Sequence, residues 1–407
     1  MISMERLKNN LLLFSYMILI GIISGLIIWS FIKVMNVGIN FFWDYLPTRL
    51  NFKYYTIFTC LIGGLTVGLF KHKYGENTRE LAEVIKTVKT EHRYPYHNIL
   101  VSILSALLPL VVGASVGPEA GLTGIIAGLC TWIGDKLKMF NNQLEDLTSI
   151  GVMATLATIF ASPMFAFVEP LENEEDVKLP KTSKNILYFT AILSSFGVFI
   201  LLNHLTNSKM GMHTMGIANL NSINPLYIVL LLFIGVALSY FYFASNVLVK
   251  RTFENMNDNH IIKGVIGGLI LGISGSLLPL TMFSGEHQIH MLLESGVQIG
   301  VLILIATSIT KILLTNICIE TGLKGGHFFP MIFSGVAMGY AMSIIMNIDP
   351  IVSMSVVTTA LLANILKKPI AVVLLLMILF PVNMIPLMLL TAVISCLFKT
   401  SKTLLLA

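Results

Sequence analysis

The sequence predicts an all-α integral membrane protein made of two inverted halves, with broken helices that meet near the middle of the bilayer. Three observations predict this fold class: the composition, a series of long apolar segments, and one glycine- and proline-containing interruption in each half. Of the 407 residues, 55% are hydrophobic and only 12% are charged, and the mean hydropathy is +0.83. This composition excludes an ordinary soluble domain, which needs far less apolar surface. The net charge of +5 then indicates basic loops at a membrane surface rather than a nucleic-acid partner.

The apolar segments predict twelve helices, several of them short or interrupted by glycine or proline. The first segment follows Arg6 and Lys8 and is too long for the core of a signal peptide, so we expect a retained membrane helix. The predicted helices cover roughly 10–34, 54–71, 97–112, 118–138, 147–171, 185–205, 225–250, 261–279, 296–318, 329–347, 351–366 and 369–398.

A polar stretch over 206–224 divides this series of helices into two halves. The first repeat is predicted over about 10–205 and the second over about 225–398. The whole chain, 1–407, is therefore expected to form one multi-pass domain of a cell membrane, without a soluble regulatory domain.

The first interruption covers 113–124, GASVGPEAGLTG, and places one carboxylate, Glu119, between two apolar runs. A charged side chain at that depth costs on the order of 3 kcal/mol, so such residues are paired, line a wet cavity or carry function. The glycines loosen the helix, and Pro118 suits the first turn of a new one, where its missing N–H is no loss. We therefore predict that one helix ends near Val112 and another begins near Pro118. The N–H groups and the positive dipole end of such a helix start favour an anion.

The second interruption covers 321–330, TGLKGGHFFP, and again sets flexible glycines before a proline that can open a helix. Paired broken helices in corresponding places of two halves indicate a midplane site in a transporter built from inverted repeats. Two helix starts are therefore predicted to converge on one anion. Lys311 and Lys324, which lie near this interruption, are expected to extend their ammonium groups to a membrane interface, although Lys324 lies close enough to the motif to attract anions.

These residues resemble a known family, the CLC chloride channels and chloride/proton antiporters. Gly117-Pro118-Glu119-Ala120-Gly121 resembles the family's GxEGP-type stretch, and Gly325-Gly326-His327-Phe328-Phe329-Pro330 matches its GGxFxP stretch. Phe160-Ala161-Ser162-Pro163 resembles its FNAP segment, and Lys311-Ile312-Leu313-Leu314-Thr315 lies at the usual distance before the second stretch. The resemblance covers about 55–395 and is that of a divergent bacterial-type member without a C-terminal regulatory domain.

The resemblance implies a homodimer in the membrane lipid, in which each subunit holds its own anion pathway. Glu119 would be the gating glutamate, whose ionised carboxylate occupies an anion site and whose protonation releases it. Chloride is the implied substrate and protons the implied coupled ion, with no cofactor. The implied anion-binding residues are Gly117, Pro118, Glu119, Ala120, Gly326, His327, Phe328 and Phe329.

Three departures from the family pattern leave substrate and coupling open. The family's GSGIP stretch, whose serine coordinates the central anion, falls on the GENTR sequence at 75–79, where Asn77 or Thr78 would replace the serine. The central tyrosine of the last helix is missing. The inner proton-transfer glutamate falls on an asparagine, which leaves Glu169 and Glu172 as candidates for an inner proton path. A chloride/proton exchanger, a passive anion channel and an exporter of another anion such as fluoride remain alternatives.

A different class, an intramembrane serine hydrolase, is suggested by GASVG at 113–117, which fits G-x-S-x-G around Ser115. That nucleophile elbow needs a preceding strand and a histidine base, whereas the run before it is long for a strand and suits a helix. The candidate bases lie in or near polar stretches and are His204, His213, His287 and His290. The four cysteines stand alone in apolar runs, so neither a metal site nor a disulfide framework is predicted. We therefore expect a transporter and not an enzyme.

Overall fold

The computed structural model describes residues 2–76, 78–96, 98–136, 141–173, 181–207, 214–219, 224–254, 256 and 259–399. Within these ranges the chain forms helices joined by turns, and no β-strand is present. The helices are α1 (Ile2–Asn40), α2 (Leu46–Leu50), α3 (Tyr55–Tyr74), α4 (Leu81–Glu91), α5 (Ile99–Val112), α6 (Glu119–Lys136), α7 (Asn141–Ile159), α8 (Pro163–Val168), α9 (Lys181–Leu205), α10 (Pro225–Glu254), α11 (His260–Leu277), α12 (Glu286–Ile299), α13 (Val301–Glu320), α14 (Phe328–Met346), α15 (Pro350–Leu366), α16 (Pro369–Leu376) and α17 (Ile385–Leu397). A π-helix covers Phe41–Tyr45, and 3-10 turns cover Leu171–Asn173, Pro279–Thr281 and Val382–Met384.

Many of these helices are suited to a lipid environment. Among the described residues, six helical segments are long and apolar enough to cross a bilayer. They are Phe14–Leu50, Ile186–Leu205, Pro225–Glu254, His260–Leu277, Val301–Glu320 and Phe328–Met346. Large apolar side chains on them, such as Leu201, Leu230 and Leu302, are exposed at the surface, which suits contact with lipid. The predicted class of an all-α, multi-pass integral membrane protein is confirmed.

Packing divides the chain into two compact units, each assembled from separate stretches of sequence. The first unit comprises Met1–Met35, Thr78–Leu104 and Glu119–Gly211, and the second comprises Asn36–Asn77, Ser105–Pro118 and Met212–Ala407. The predicted repeat boundaries, about 10–205 and 225–398, stay a prediction.

In the first unit, α6 packs against α7, and α7 packs against α9. Small residues allow these close approaches, as is common between membrane helices. A Cβ added to Gly151 of α7 would lie 2.3 Å from Sγ of Cys130 on α6. The hydroxyl groups of Thr158 on α7 and Ser195 on α9 lie 2.8 Å apart, so a buried hydrogen bond joins these two helices.

In the second unit, α3 pairs with α11, and α14 pairs with α15. A Cβ added to Gly64 of α3 would lie 2.2 Å from the carbonyl oxygen of Gly264 on α11, so the two backbones touch. The hydroxyl of Ser353 on α15 donates to the carbonyl of Gly339 on α14 over 2.6 Å. Helix α14 is buried along most of its length, so it forms the centre of this unit.

The helices differ from the predicted ones in three respects. The predicted helix over 147–171 breaks after α7, where Ala161 has a φ of +45° and Pro163 opens α8. The predicted helix over 369–398 is two helices, α16 and α17, with Pro381 between them, because proline cannot donate to a continuing helix. The sequence analysis also misses α4 and α12, whose many polar residues are typical of connecting loops.

Candidate functional site

The first predicted interruption lies between α5 and α6. Helix α5 ends at Val112, and Gly113 follows with a φ of +90°, a conformation that glycine adopts without strain. A Cβ at Gly113 would also lie 2.8 Å from Cε of Met282, so a larger residue would have to displace that side chain. Helix α6 begins at Glu119, directly after Pro118. The predicted break and the new helix start are both present.

The second predicted interruption lies between α13 and α14. Helix α13 ends at Glu320, and the hydroxyl of Thr321 donates to the carbonyl of Ile317 over 2.7 Å. Gly322 then has a φ of +97°, which turns the chain out of the helix. Helix α14 begins at Phe328, with His327 as its N-cap residue.

A pair of backbone hydrogen bonds joins the two interruptions. The N–H of Gly117 donates to the carbonyl of Gly326, and the N–H of Gly326 donates to the carbonyl of Gly117, each over 2.7 Å. Both residues belong to the second unit. A Cβ added to Gly325 would lie 2.5 Å from Cγ2 of Val116 and 2.8 Å from the carbonyl oxygen of Gly117. Only glycine at 325 therefore permits this approach.

Glu119 is the first residue of α6, and its side chain is fully buried. The hydroxyl of Thr123 donates to the carbonyl of Glu119 over 2.8 Å and to that of Ala120 over 3.0 Å. A carboxylate at a helix start is favoured by the helix dipole, whereas enclosure away from water opposes its charge. The helix start and the enclosure of Glu119 therefore act on its charge in opposite directions.

The start of α14 is aromatic. The ring of His327 lies 4.9 Å from that of Phe328, with their planes 15° apart, and 5.6 Å from the ring of Tyr242. Phe328 and Phe329 are buried. Among the described residues, no group of three His, Cys, Asp or Glu side chains is placed to hold a metal ion. The imidazole ring of His327 packs against the aromatic rings of Phe328 and Tyr242.

Glu169 and Glu172, the candidates for an inner proton path, follow α8 in the first unit. The N–H of Glu169 donates to the carbonyl of Phe165 over 2.8 Å, and Glu172 lies in the 3-10 turn Leu171–Asn173. Both residues are partly buried. Their part in proton movement stays a prediction.

The stretch at 75–79, where Asn77 or Thr78 is expected to replace the family's serine, contains an ionic contact. Asn77 lies outside the described residues, and Thr78 is buried. Instead, Oε1 of Glu76 lies 2.5 Å from Nζ of Lys71 and 3.0 Å from Nζ of Lys324. Burial raises the pKa of Glu76, but the charges of Lys71 and Lys324 outweigh it and lower the pKa to about 2. The ammonium of Lys324 is held in this ion pair, and its extension to a membrane interface stays a prediction.

The expectation that Lys311 extends to a membrane interface is wrong, since its side chain is fully buried in α13. Its ammonium donates to the carbonyls of Thr281 (3.2 Å), Met282 (2.9 Å) and Phe283 (2.8 Å). It also lies 5.0 Å from the centroid of the Phe333 ring, within cation–π range. An ammonium has three donors, so these carbonyls satisfy it and make its burial tolerable. The sequence signal that could have identified it is a lysine within a continuous apolar helix.

The hydrolase alternative finds no support in this geometry. Ser115 is preceded by helix α5 and not by the strand that a nucleophile elbow needs. Ser115 is fully buried, and its Oγ lies 3.4 Å from Oγ1 of Thr315. Of the candidate bases, His204 lies in the last turn of α9, His287 and His290 lie in α12, and His213 lies outside the described residues.

Comparison with known sequences agrees with this architecture. A family profile described as voltage gated chloride channel matches residues 58–400. A protein of Salmonella newport, provisionally named as the ion-transport protein YfeO, is 24% identical over 349 residues, which cover 82% of this chain and 81% of that protein. An uncharacterised protein of Methanocaldococcus jannaschii is 24% identical over 324 residues, with 79% and 76% covered.

Solved structures share the fold at low sequence identity. A slow cyanobacterial Cl⁻/H⁺ antiporter superimposes with a TM-score of 0.76 at 19% identity, covering 94% of this chain and 93% of that one. A CLC-type fluoride/proton antiporter gives a TM-score of 0.75 at 17% identity, covering 96% and 95%. With two helix breaks joined at Gly117 and Gly326, a family profile over most of its length and the fold of CLC transporters, this chain belongs to the voltage gated chloride channel family.

Proposed function

We propose that this protein moves a small inorganic anion across the membrane, with chloride as the first candidate and Glu119 as the gate. The observation that carries the proposal is the pair of 2.7 Å hydrogen bonds between Gly117 and Gly326. Each glycine stands two residues before a helix start, that of α6 at Glu119 and that of α14 at Phe328. The bonds therefore tie together the segments from which both helices begin. The first N–H groups of a helix have no partner within that helix and attract anions.

The same hydrogen bonds indicate which residues would act as ligands. Gly117 and Gly326 use their N–H groups on each other, and Pro118 has none, so these three would shape the site. The proposed donors are the backbone N–H groups of Glu119 and Ala120 in α6, and of His327, Phe328 and Phe329 at the start of α14. A site built from backbone donors does not depend on the serine and tyrosine that this chain lacks.

Gating follows from competition for these donors. An ionised Glu119 carboxylate and a free anion carry the same charge and favour the same N–H groups, so they exclude each other. Protonation removes the charge of Glu119 and so its advantage over the anion. Anion movement would then be coupled to proton movement, with Glu169 and Glu172 as the inner proton path. The description of two structural neighbours as Cl⁻/H⁺ and fluoride/proton antiporters supports this coupling.

Fluoride is the second candidate substrate, because the fluoride/proton antiporter matches this chain with a TM-score of 0.75. We further propose that the protein is a homodimer with one pathway in each subunit, and that it is a transporter and not an enzyme. Chemical crosslinking in liposomes would test the dimer.

The experiment that tests the proposal is anion efflux from proteoliposomes, with chloride, fluoride and nitrate compared with and without a proton gradient. Wild type, Glu119→Gln and Glu91→Gln would be measured together. Glu91 ends α4 and is exposed, so it is a matched control for removal of a carboxylate. We expect an anion gradient to drive proton uptake in wild type and Glu91→Gln, and the Glu119→Gln variant to lose it.

Two results would contradict the proposal in different ways. Anion flux without any proton movement in wild type would mean passive conduction and would remove the coupling. An absence of flux for every anion, in protein that remains monodisperse after reconstitution, would overturn the transport function itself.

A further inference from the structure

An exposed aromatic surface lies between α1 and α3, over residues 41–58 of the second unit. Six of its aromatic side chains are each between 40% and 52% exposed. They are Phe41, Phe42, Tyr45, Phe52, Tyr54 and Phe58. The rings also contact one another, since those of Phe41 and Phe42 lie 5.3 Å apart and those of Phe52 and Phe58 lie 5.4 Å apart. Apolar residues that are exposed singly are ordinary, but a group of this kind indicates a binding surface.

Two basic side chains lie on the rings of this aromatic surface. Cζ of Arg49 is 5.2 Å from the centroid of the Tyr45 ring, and Nζ of Lys53 is 5.8 Å from that of Tyr54, both within cation–π range. Both basic residues are exposed, and neither forms an ion pair with a carboxylate of the described residues. Asp44 is the only acidic residue between 41 and 58. The aromatic surface therefore has a net positive charge.

The length of the preceding helical segment places this surface at the edge of the hydrocarbon layer. The segment Phe14–Leu50 has 37 residues, which span about 55 Å at 1.5 Å per residue, whereas the hydrocarbon layer is about 30 Å thick. Part of the segment must therefore leave that layer. Asn51, with a φ of +42°, ends α2, and α3 begins at Tyr55. Tyrosine, tryptophan and basic residues are enriched where a membrane helix meets the lipid headgroups, which indicates that residues 41–54 lie at headgroup level.

The inner side of the aromatic surface packs on the first helix break. Nε1 of Trp43 donates to the carbonyl of Val111 over 3.0 Å, and a Cβ added to Gly113 would lie 3.1 Å from Cζ2 of the same tryptophan. The Trp43 ring also lies 5.4 Å from that of Phe283, whose N–H donates to the carbonyl of Gly113 over 3.0 Å. Trp43 belongs to the π-helix Phe41–Tyr45, and such turns are frequent at functional sites. A ligand on the outer side therefore contacts the segment that supports this break.

We propose that the aromatic surface binds an anionic phospholipid, with Arg49 and Lys53 as the contacts of its headgroup phosphate. The exposed rings lie against the upper part of the acyl chains, and the two cations beside them meet the phosphate. Charge complementarity favours a lipid over a second copy of this chain. A symmetric contact between two copies sets this positive surface against itself, whereas a phosphate neutralises it. The inference concerns a lipid ligand and does not depend on the proposed function.

Quenching of Trp43 fluorescence by brominated phospholipids tests the inference, because bromine atoms in an acyl chain quench tryptophan at short range. The chain has three tryptophans, so Trp29→Phe and Trp132→Phe leave Trp43 as the reporter. The full-length protein is reconstituted in phosphatidylcholine with increasing fractions of brominated phosphatidylglycerol, or of brominated phosphatidylcholine. The ratio of the two binding constants measures the preference for the anionic lipid.

We expect Arg49→Gln and Lys53→Gln each to lower this ratio roughly fivefold, which corresponds to about 1 kcal/mol for one basic residue near an anionic surface. The double variant should bind the two lipids equally. Lys89→Gln and Arg251→Gln are the matched controls, because both residues are exposed but lie in α4 and α10, outside the aromatic surface. Both controls should keep the wild-type ratio.

Four results overturn the inference. Equal binding of the two lipids by wild type removes the preference, and a wild-type ratio in the double variant removes Arg49 and Lys53 as contacts. Controls that lower the ratio as much as these variants show a response to total charge. A changed fraction of crosslinked dimer in the double variant assigns the surface to a subunit contact instead.

Thermal unfolding decides if the single-tryptophan protein does not fold. Phosphatidylglycerol added to the detergent should raise the midpoint of the protein with all three tryptophans more than phosphatidylcholine does, and this difference should be absent in the Arg49→Gln, Lys53→Gln double variant. Equal midpoints in the two lipids for wild type overturn the inference here as well.

Discussion

Replacement of Lys311 by methionine is expected to destabilise the protein by about 2–4 kcal/mol. Methionine has a similar length but no donor, so the carbonyls of Thr281, Met282 and Phe283 lose the ammonium that binds them. Each buried acceptor left without a partner costs about 1–3 kcal/mol, which sets the sum at about 3 kcal/mol or more. Removal of a buried positive charge offsets part of that cost, which gives the net range.

Loss of the Lys311 hydrogen bonds should also affect the candidate anion site. The N–H of Phe283 donates to the carbonyl of Gly113 over 3.0 Å, so the turn that Lys311 binds contacts the first helix interruption. Phe283 has a φ of +59°, a conformation that is unfavourable for a side chain of this size unless neighbours hold it. We therefore expect Lys311→Met to lower anion flux as well as stability.

Thermal unfolding in detergent at a fixed scan rate, followed by tryptophan fluorescence, would measure this effect. The ring of Trp43 lies 5.4 Å from that of Phe283, so it reports on the turn in question. At about 2 °C per kcal/mol for a large domain, the midpoint should fall by about 4–8 °C. Lys73→Met, which removes an exposed lysine, is the matched control. If Lys311→Met unfolds at the temperature of that control, the carbonyls do not depend on the ammonium and the reasoning is refuted.

Two further predictions concern the helix interruptions and the ion pairs of Glu76. Gly325→Ala places a Cβ 2.5 Å from Cγ2 of Val116, so it should separate Gly117 from Gly326. We expect anion flux to fall at least tenfold, which corresponds to about 1.4 kcal/mol. Flux equal to that of wild type would show that the hydrogen bonds are dispensable. The two lysines lower the pKa of Glu76 from 4.5 to about 2, although its burial acts in the opposite direction. The ion pairs therefore stabilise the folded protein fully above pH 5, and this stabilisation is lost as the pH falls towards 2. The melting difference between wild type and Glu76→Gln should therefore stay constant from pH 5 to pH 8, and a difference that changes within that range would contradict the ion pair.

The helix breaks of the candidate site could be predicted because their signal is local. Glycine and proline occur within a few residues of each other at both breaks, and at the first break Glu119 adds a carboxylate within apolar sequence. The break before α8 has a weaker signal, because Ala161 has a positive φ that alanine does not normally adopt. Only Pro163 marked that position.

The ionic contacts could not be predicted, because they depend on distant parts of the chain. Lys71 and Glu76 are close in sequence, but nothing in the sequence indicates that Lys324 also pairs with Glu76. Lys311 was expected at an interface because a lysine on an apolar helix normally reaches water. The turn at 281–283 supplies three carbonyls instead, and a turn's carbonyl directions are set by tertiary packing rather than by composition.

The carboxylates of Glu119 and Glu76 have different surroundings. Glu119 is fully buried at the start of α6, whereas Glu76 is partly exposed and is paired with Lys71 and Lys324. Under the proposed function, an anion that competes with Glu119 meets a carboxylate whose charge protonation removes, whereas the ion pairs of Glu76 keep their charge throughout the physiological pH range. We therefore propose that proton coupling depends on Glu119, and we expect Glu76→Gln to leave the number of protons exchanged per anion unchanged.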